Sequence, residues 1–485
     1  MRFRLPTWLL LLFIGIFLLR IPSLFEPYYY GDEMIYLVLG QAVRRGLVLY
    51  KDVHDNKPPL LYFVAALSEN LFWFRAILTA WVIASTFFFW KLANTFFLKN
   101  KRIVTVATIF LAVSSSLPIF EGHIANAELF MMLPTLGAFL AISTQTTNKR
   151  LIISGLLLSV AALFKIPATF DAFALLALIV INEYEKKSPS LKRIVLSVFV
   201  FSISFLLPLA ASVLYYVLKG AGSEYLVAAF LQNIGYVSSF RPQDKVDPFW
   251  VKNAPLLIRF GLMSLSIGVL FFLKKKLSKP FVISSIWLAT SLFAITLSER
   301  PYPHYFIQAI PAIALLVGLL VASKRMEQAY TVIPLWAASI VLLYYHFWYY
   351  PIPPVMTRFA SLVTREVNTE SYRASFGGNV NQTYHLSQFI QETIQPNERI
   401  FVWKDSAPVY ALSRHLPPNK YTAGYHIDDF SSLEKTLEML TKEKPSAIIL
   451  LPNAPTIPNL STLLSKEYYL LQQIDGAEVW KKRTS

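Results

Sequence analysis

Long apolar stretches separated by short polar connections occupy the first 350 residues of the chain. Eleven of these stretches have the composition of membrane-spanning helices. They cover residues 7–25, 76–98, 103–119, 127–143, 151–164, 168–182, 194–218, 254–273, 280–297, 305–322 and 331–350. Several are shorter than the roughly 20 residues that an upright helix needs, so we expect some thin or tilted spans. The pattern predicts a polytopic α-helical membrane protein with about 11 spans.

A twelfth apolar stretch, residues 58–74, is interrupted by Ser68-Glu69-Asn70. We predict that it forms a kinked or half-buried start of the second span and does not cross the membrane by itself. The first apolar stretch lacks a small-residue cleavage site and runs directly into Arg20 and Pro22. We therefore predict a retained first span and not a signal peptide.

The pattern changes after Tyr350, where prolines end the last apolar stretch. Residues 370–485 read as a small α/β domain, distinct from the transmembrane domain of residues 1–350. Two buried strands are predicted at residues 399–404 and 446–451, and one helix at 428–444. A final hairpin is predicted around Asp475-Gly476, with strands at 468–474 and 477–482.

Composition supports this division. The 485 residues are 55% hydrophobic and 15% charged, with a mean hydropathy of +0.47, which is too apolar for a soluble protein of this length. The absence of cysteine excludes disulfides, thiolate metal sites and cysteine nucleophiles. The net charge of +16 lies wholly in residues 1–369, because residues 370–485 carry 12 basic and 12 acidic side chains.

Basic residues gather in short clusters near residues 2–4, 99–102, 149–150, 186–193, 274–279 and 324–325. All of these clusters fall on one side of the membrane if the N-terminus is cytoplasmic and residues 58–98 cross once. Because Lys and Arg hold loops in the cytoplasm, we predict 11 crossings of the plasma (inner) membrane, with loops 26–57 and 219–253 and the C-terminal domain outside. Short clusters are not a basic stripe on one surface, which disfavours nucleic-acid binding.

The first outer loop concentrates the candidate chemistry. Asp32 and Glu33 follow the first span closely, and either is suited to act as a general base. They fit equally well as acids in the first turn of an amphipathic helix. Lys57 stands before Pro58-Pro59 at the start of the next apolar stretch, where it suits an anionic lipid phosphate or simply the membrane interface. Asp52 and Asp55 flank Lys57 and could tune it or bind a cation.

Two later outer turns add candidates. Glu128 opens the fourth apolar stretch, where a carboxylate facing lipid would be costly, so we expect it to face a polar cavity; His123 lies five residues before it. Arg300 and His304 lie at the outer end of another span, where they suit a phosphate or an aromatic interface belt. The amphipathic start of the loop 219–253 could cover the site.

Together these residues resemble the GT-C superfamily of membrane glycosyltransferases. The resemblance is closest to the branch of protein O-mannosyltransferases, aminoarabinose transferases and lipopolysaccharide-sugar transferases. It covers roughly residues 1–350 and is most specific over residues 28–62. The matching positions are Asp32-Glu33, Tyr50-x-Asp52, Lys57-Pro58-Pro59-Leu60, Arg75, Glu128, and His304-Tyr305-Phe306 with Pro311.

The resemblance implies a polyprenyl-phosphate-linked sugar as donor and a lipid, glycan or protein as acceptor. Asp32, in the catalytic pair with Glu33, would activate the acceptor as general base, with inversion at the anomeric carbon. Lys57, Arg300 and His304 would bind the donor phosphate and stabilise its departure. The supporting acidic and polar residues would be Asp52, Asp55, Glu128 and His123.

The resemblance leaves metal dependence open. In the aminoarabinose transferases an acid before Lys-Pro-Pro helps to hold a metal ion, whereas this chain has Asn56 there. We therefore expect no obligatory metal or other cofactor. Four residues remain candidate ligands of a divalent ion, since imidazole and carboxylate suit several metals: Asp52, Asp55, His123 and Glu128.

Two functions from other classes remain as alternatives. A secondary transporter is disfavoured because no repeat relates the two halves and the ionisable groups gather at one membrane face. A non-catalytic envelope-assembly protein would keep the topology and lack the activity.

Overall fold

A computed structural model describes residues 5–98, 100–186, 188–235, 248–323, 326–404 and 406–483. Several residues of the predicted basic clusters lie outside the described residues: Arg2, Arg4, Lys99, Lys187, Lys324 and Arg325. Residues 236–247 of the long outer loop and Asp405 also lie outside them.

Helices and connecting loops make up the described parts of the chain before residue 350. Its helices are α1 Thr7–Phe25, α2 Gly31–Arg44, α3 Leu60–Ser68, α4 Leu71–Phe96, α5 Lys101–Ser114, α6 Ala127–Ile142, α7 Asn148–Phe164, α8 Asp171–Tyr184, α9 Leu191–Leu218, α10 Gly222–Leu226, α11 Gln232–Gly235, α12 Phe249–Leu273, α13 Lys279–Thr296, α14 Ile310–Ala322, α15 Glu327–Tyr330 and α16 Val332–Tyr344. Short 3₁₀ segments at Pro118–Phe120, Ile166–Phe170 and Pro303–Ala309 precede turns or helices, and Val227–Leu231 is a π-helical turn between α10 and α11.

Each of the eleven predicted apolar stretches contains one of these helices. In the described part of the chain, seven are long and apolar enough to cross a membrane: Thr7–Phe25, Leu71–Phe96, Ile166–Tyr184, Leu191–Leu218, Asn253–Leu273, Lys279–Thr296 and Pro303–Ala322. The other four stretches form α5, α6, α7 and α16, which have 13 to 17 residues. The prediction of a polytopic helical membrane protein is therefore confirmed. The number and direction of the crossings stay predictions.

The interruption predicted in the stretch 58–74 is present. Glu69, with a φ of 62°, ends α3, and the Asn70 side chain caps α4 by accepting a hydrogen bond from the Trp73 N–H. Helix α3 has 9 residues and a length of about 14 Å, which is too short to cross a bilayer.

Helices α2 and α3 are in direct backbone contact. A Cβ atom at Gly40 of α2 would lie 2.6 Å from the backbone carbon of Ala65 in α3. Glycine is therefore required for this approach. The contact matters for the site because α2 begins beside Asp32 and α3 begins three residues after Lys57.

The C-terminal region is a mixed α/β unit. Its elements are α17 Ile352–Val363, α18 Thr369–Ala374, α19 Asn379–Thr393, β1 Ile400–Trp403, α20 Ala407–Ser413, α21 Gly424–Phe430, α22 Leu433–Glu443, β2 Ala447–Leu450, α23 Leu460–Glu467, β3 Tyr468–Ile474 and β4 Ala477–Lys482. The sheet order is β1-β2-β4-β3, with β1 and β2 parallel and the other pairs antiparallel.

The predicted strands and hairpin are confirmed, and the start of the predicted helix 428–444 is wrong. Residues 424–430 form a separate helix, α21, and Ser432 then caps α22 by accepting a hydrogen bond from the Lys435 N–H. A capping serine starts a new helix at this point because it satisfies a backbone donor of the first turn.

The C-terminal unit packs on the loop 26–57, which was predicted to lie outside, and on α2. The Gln41 amide donates a hydrogen bond to the Ala411 carbonyl oxygen at 2.8 Å, and the His54 N–H donates to the Lys420 carbonyl oxygen at 2.8 Å. The Tyr28 hydroxyl donates to Thr383 Oγ1. Apolar side chains of both regions belong to one continuous core.

Candidate active site

The two acids at the start of α2 lie in opposite surroundings. The Asp32 side chain is 35% exposed, whereas the Glu33 side chain is fully buried. Consecutive residues of a helix point about 100° apart, so one acid can face a cleft while its neighbour faces the core. The sequence pair thus divides into two different sites.

Glu33 forms a buried bidentate ion pair with Arg75 of α4. Arg75 Nε donates to Glu33 Oε1 at 3.0 Å and Nη2 donates to Oε2 at 2.6 Å. The Ala125 N–H also donates to Oε1 at 2.8 Å, and Arg75 donates further to the carbonyl oxygens of Ser23 and Glu26. Both carboxylate oxygens of Glu33 are therefore engaged in tying α1, α2, α4 and the loop before α6 together.

Asp32 instead faces Lys57 with looser geometry. Its Oδ2 accepts a hydrogen bond from the Tyr36 hydroxyl at 2.9 Å and lies 3.5 Å from Lys57 Nζ. Burial raises the pKa of the Asp32 carboxyl, but the charges of Lys57 and His304 and the Tyr36 hydrogen bond outweigh it, so the net pKa is lowered. Asp32 is thus a carboxylate at neutral pH and can accept a proton.

Lys57 is shared between two carboxylates. Its Nζ lies 3.5 Å from Asp32 Oδ2, 4.0 Å from Asp55 Oδ2 and 4.9 Å from the centre of the Tyr36 ring. The Lys57 side chain is 20% exposed, so it is only partly buried. Pro58 and Pro59 follow it and lead directly into α3, which fixes the backbone at Lys57.

Asp55 supports Lys57 from a buried position. Its Oδ2 accepts a hydrogen bond from the Tyr62 hydroxyl at 2.9 Å, and its Oδ1 accepts one from the Asn56 N–H at 2.7 Å. Asp52 lies apart from this group, because its Oδ2 accepts a hydrogen bond from the Val48 N–H and closes a local turn. The structure therefore brings Asp32, Asp55 and Lys57 together and leaves Asp52 outside.

A second polar group lies around Glu128 at the start of α6. The Glu128 carboxylate is paired with Lys165, and its Oε1 lies 3.8 Å from His304 Nε2. On its other side, His304 Nδ1 contacts Glu121 Oε2 at 2.5 Å and the Tyr30 hydroxyl at 3.3 Å. His304 also helps to lower the pKa of the Asp32 carboxyl. The two groups are therefore close enough to form one polar region.

The remaining predicted residues lie elsewhere. His123 is buried against the Tyr29 hydroxyl, and its Nε2 lies 3.9 Å from Glu26 Oε2. Arg300 is exposed in the turn after α13, and its N–H donates to Ser298 Oγ. Within the loop 219–253, which could cover the site, residues 236–247 lie outside the described residues.

A cavity of about 120 Å³ adjoins the second polar group. Its polar wall includes Glu128, Lys165, Gln308 and Asn233, and its apolar wall comes from Ile166, Pro167, Phe170, Ala294, Ile295, Leu297 and Tyr305 with Ser298 at the edge. Asn233 belongs to α11, and its amide also donates to the Asn56 carbonyl oxygen at 3.0 Å. The described part of the long outer loop therefore lies over the first outer loop, beside Lys57.

Sequence reasoning assigned no role to three contributors to this site. Tyr36 and Tyr62 read as apolar helix positions, although each hydroxyl holds a carboxylate. Lys165 stands as a single basic residue between two apolar helices, and this isolation was the available signal. Its partner Glu128 could not be inferred from spacing.

The donor set fits a divalent metal ion poorly. Among the residues that the structure describes, no three His, Asp or Glu side chains are grouped so that they could hold a metal ion. The four candidate ligands are dispersed, with Asp55 beside Lys57, Glu128 beside Lys165, and Asp52 and His123 in separate environments. An ammonium beside each central carboxylate already supplies the positive charge that a cation would bring.

Comparison with known proteins gives a structural match without a sequence match. No protein-family profile and no curated protein sequence matches this chain. The structure is similar to that of ArnT from Cupriavidus metallidurans bound to undecaprenyl phosphate, with a TM-score of 0.63 and 13% identity over 99% of this chain and 98% of that chain. It is also similar to apo ArnT from the same organism, with a TM-score of 0.56 and 12% identity over 98% and 97% of the two chains.

The similarity covers both regions of the chain. It extends over the helices and over the C-terminal α/β unit, because nearly the whole length of each protein is matched. The predicted helical membrane fold with a C-terminal α/β domain is therefore confirmed, and it is similar to the fold of ArnT. At 13% identity the similarity establishes the fold and leaves the activity to be argued from the site.

Proposed function

We propose that this chain, folded like ArnT, is a membrane glycosyltransferase. It would transfer a sugar from a polyprenyl-phosphate-linked donor to a lipid, glycan or protein acceptor at the outer face of the plasma (inner) membrane. The observation that carries the proposal is the pairing of a partly exposed carboxylate, Asp32, with a partly buried lysine, Lys57, whose ammonium lies 3.5 Å away. A base and a phosphate-binding cation are the two groups that this reaction requires.

In the proposed reaction Asp32 is the general base. It accepts the proton of the acceptor nucleophile while the nucleophile attacks the anomeric carbon. The bond between that carbon and the phosphate oxygen breaks, and polyprenyl phosphate leaves with the bonding electron pair. A single displacement of this kind inverts the anomeric centre. The lowered pKa of Asp32 keeps the base deprotonated at neutral pH.

Lys57 is proposed to bind the donor phosphate and to stabilise the negative charge of the leaving group. Lys165 adds a second ammonium at the mouth of the neighbouring cavity, where apolar residues could receive the first isoprene units. The crystal structure of ArnT holds undecaprenyl phosphate, which is a product of the kind proposed here. Arg300 is proposed to contact the donor from the exposed turn after α13.

Three predicted residues take supporting roles in the proposal. Glu33, which the sequence paired with Asp32 as catalytic, is proposed to position α2 through Arg75, because both of its oxygens are engaged in the core. His304 is proposed to orient Glu121 and Glu128 and to contact the donor phosphate. Asp55 is proposed to hold Lys57.

The proposal is tested with the purified protein and a panel of polyprenyl-phosphate-linked sugars. The assay measures the release of polyprenyl phosphate, first with total membrane lipid as the acceptor mixture and then with defined acceptors. We expect release with at least one donor and loss of release in Asp32→Asn. Donor consumption that is equal in Asp32→Asn and wild type would contradict the assignment of the base. Transport of a donor across vesicles without its cleavage would favour the transporter alternative, and binding without turnover would favour the assembly protein.

A further inference from the structure

The C-terminal domain reaches the candidate active site through the segment that contains α21. The imidazole of His54, in the first outer loop, is surrounded by three rings of this segment. Its ring centre lies 5.8 Å from that of Tyr421, 5.6 Å from that of His426 and 4.9 Å from that of Phe430. The backbone N–H of His54 also donates to the Lys420 carbonyl oxygen. The two regions are therefore joined one residue before Asp55.

His426 extends this junction to Asp55 itself. His426 Nε2 lies 3.9 Å from Asp55 Oδ1, and both side chains are only 2% exposed. The other contacts of the Asp55 carboxylate come from its own surroundings in the chain, namely the Asn56 N–H, the Tyr62 hydroxyl and the Lys57 ammonium. Within the described residues, His426 is thus the contact to Asp55 that the C-terminal domain supplies.

The position of His426 is fixed by close packing. Helix α21 begins at Gly424, where a Cβ atom would lie 2.5 Å from the Lys404 carbonyl oxygen at the end of β1. Ile427, the residue after His426, is buried in the second core of the domain. Burial lowers the pKa of His426. Its ring packs beside the carboxylate at 3.9 Å, which is a close polar contact and longer than a hydrogen bond.

We infer that His426 is a positioning residue of the active site, which holds Asp55 and through it the ammonium of Lys57. The C-terminal domain then completes the site rather than only covering it. This inference rests on the proposed function for the meaning of Lys57, and it adds a residue that lies far from the first outer loop in sequence.

The physical reason is the cost of a buried carboxylate. A buried carboxylate needs polar groups around it. The loss of one of these groups changes the position in which the carboxylate is most stable. If His426 is removed, Asp55 Oδ1 keeps the Asn56 N–H but loses the imidazole beside it, and the carboxylate can shift together with the Lys57 ammonium that it holds. The distance between the proposed base and the proposed phosphate ligand then changes, although neither residue has been altered.

The first experiment compares three variants of the full-length protein. His426→Leu removes the N–H at similar volume, and His426→Gln keeps an N–H near the position of Nε2. His415→Leu is the matched control, because His415 is also buried in the C-terminal domain but hydrogen-bonds the carbonyl oxygens of Ser413 and Gln395. Thermal unfolding of each purified variant shows whether the loss of stability is comparable.

In the transfer assay we expect His426→Leu to lower kcat/KM for the donor about tenfold, which corresponds to about 1.4 kcal/mol of transition-state stabilisation. The KM for the acceptor should stay unchanged. His426→Gln should restore most of the activity, and His415→Leu should keep it. An equal loss in His415→Leu and His426→Leu, or no recovery in His426→Gln, would overturn the inference.

A second readout does not depend on activity. The rate at which an amine-reactive reagent labels Lys57, measured by mass spectrometry against the exposed Lys51, reports how tightly the ammonium is held. We expect several-fold faster labelling of Lys57 in His426→Leu and wild-type rates in His426→Gln and His415→Leu. An unchanged rate in His426→Leu would overturn the inference even if no donor were found, whereas a wild-type protein that is inactive with every donor would count against the proposed function alone.

The pair Asp55–His426 can also be tested as a unit. In an Asp55→Asn background, His426→Leu should change the labelling of Lys57 little further, because the group through which His426 acts is already altered. Additive effects of the two substitutions would mean that His426 acts by another route and would contradict the positioning role.

Discussion

The acidic pair at the start of α2 separates into two ion-pair sites that share a helix turn and little else. The Glu33–Arg75 pair is fully buried and bidentate, with donor–acceptor distances of 3.0 and 2.6 Å. The Asp32–Lys57 pair is partly exposed, single and longer, at 3.5 Å. Both carboxylate oxygens of Glu33 are occupied, so the Glu33–Arg75 pair cannot bind a substrate. The longer Asp32–Lys57 pair can separate so that each side chain contacts a substrate. The geometry therefore favours a structural role for the Glu33–Arg75 pair and supports the chemistry proposed for the Asp32–Lys57 pair.

The largest effect that this comparison predicts is on stability. Arg75→Met should destabilise the protein by about 3–5 kcal/mol, because breaking a buried ion pair leaves the charge of Glu33 uncompensated. Thermal unfolding in detergent or nanodiscs measures the loss. The matched control is Arg44→Met, since the Arg44–Glu69 pair is about half exposed and pairs of that kind contribute little. A stable Arg75→Met protein would break the distinction.

The next effect is on turnover. Asp32→Asn should lower kcat about 100-fold or more, because general base catalysis contributes about that much. Expression, thermal stability and donor binding should remain close to wild type, since Asp32 is the exposed member of the pair. Glu69→Gln, an acid in a surface pair, serves as the control. Near-normal turnover in Asp32→Asn would show that another group accepts the proton.

Lys57→Ala should act on the donor. Removal of a charge-assisted contact costs about 1.5–3 kcal/mol, so donor affinity or the rate of leaving-group departure should fall more than about tenfold. Lys51→Ala, at an exposed lysine of the same loop, should leave both unchanged. If only the acceptor kinetics change in Lys57→Ala, the lysine belongs to the acceptor subsite.

The pH dependence sharpens the same contrast. Because the pKa of Asp32 is lowered, the carboxyl is already deprotonated at the pH where a free aspartic acid titrates. Activity should be lost only as the pH falls through the lowered pKa of the folded state. No loss from this group is expected between about pH 5 and pH 8. In Lys57→Met the acid limb of the kcat profile should move to higher pH, since the largest of the charges that lower the pKa is gone. An acid limb that stays in place would mean that Lys57 does not act on the base.

The smallest effect concerns metal ions. Chelator treatment should leave most of the activity intact, because Lys57 and Lys165 already place positive charge beside Asp32, Asp55 and Glu128. Activity is measured before and after treatment, with back-addition of Zn²⁺ or Mn²⁺ as the control. Complete loss that either ion restores would make the carboxylates near Lys57 metal ligands.

The sequence predicted what local patterns control. The helices before residue 350 and the strands and hairpin of the C-terminal domain follow from apolar periodicity and turn residues. The loop 26–57 could be recognised because its charges lie close together in the chain. The division between Asp32 and Glu33 could not be predicted, because spacing on a helix does not say which face meets the core. The pairs Glu128–Lys165 and Asp55–His426 depend on long-range packing and leave no local signal.

The close approach of α2 and α3 at Gly40 links this residue to the distance between Lys57 and Asp32. The atoms that a Cβ at residue 40 would strike belong to the backbone of Ala65 and Ala66, which cannot rotate away as a side chain could. A methyl group there would displace α3 away from α2. Lys57 would be displaced as well, because only Pro58 and Pro59 separate it from α3. We therefore expect a side chain at residue 40 to change the distance between the Lys57 ammonium and the Asp32 carboxylate.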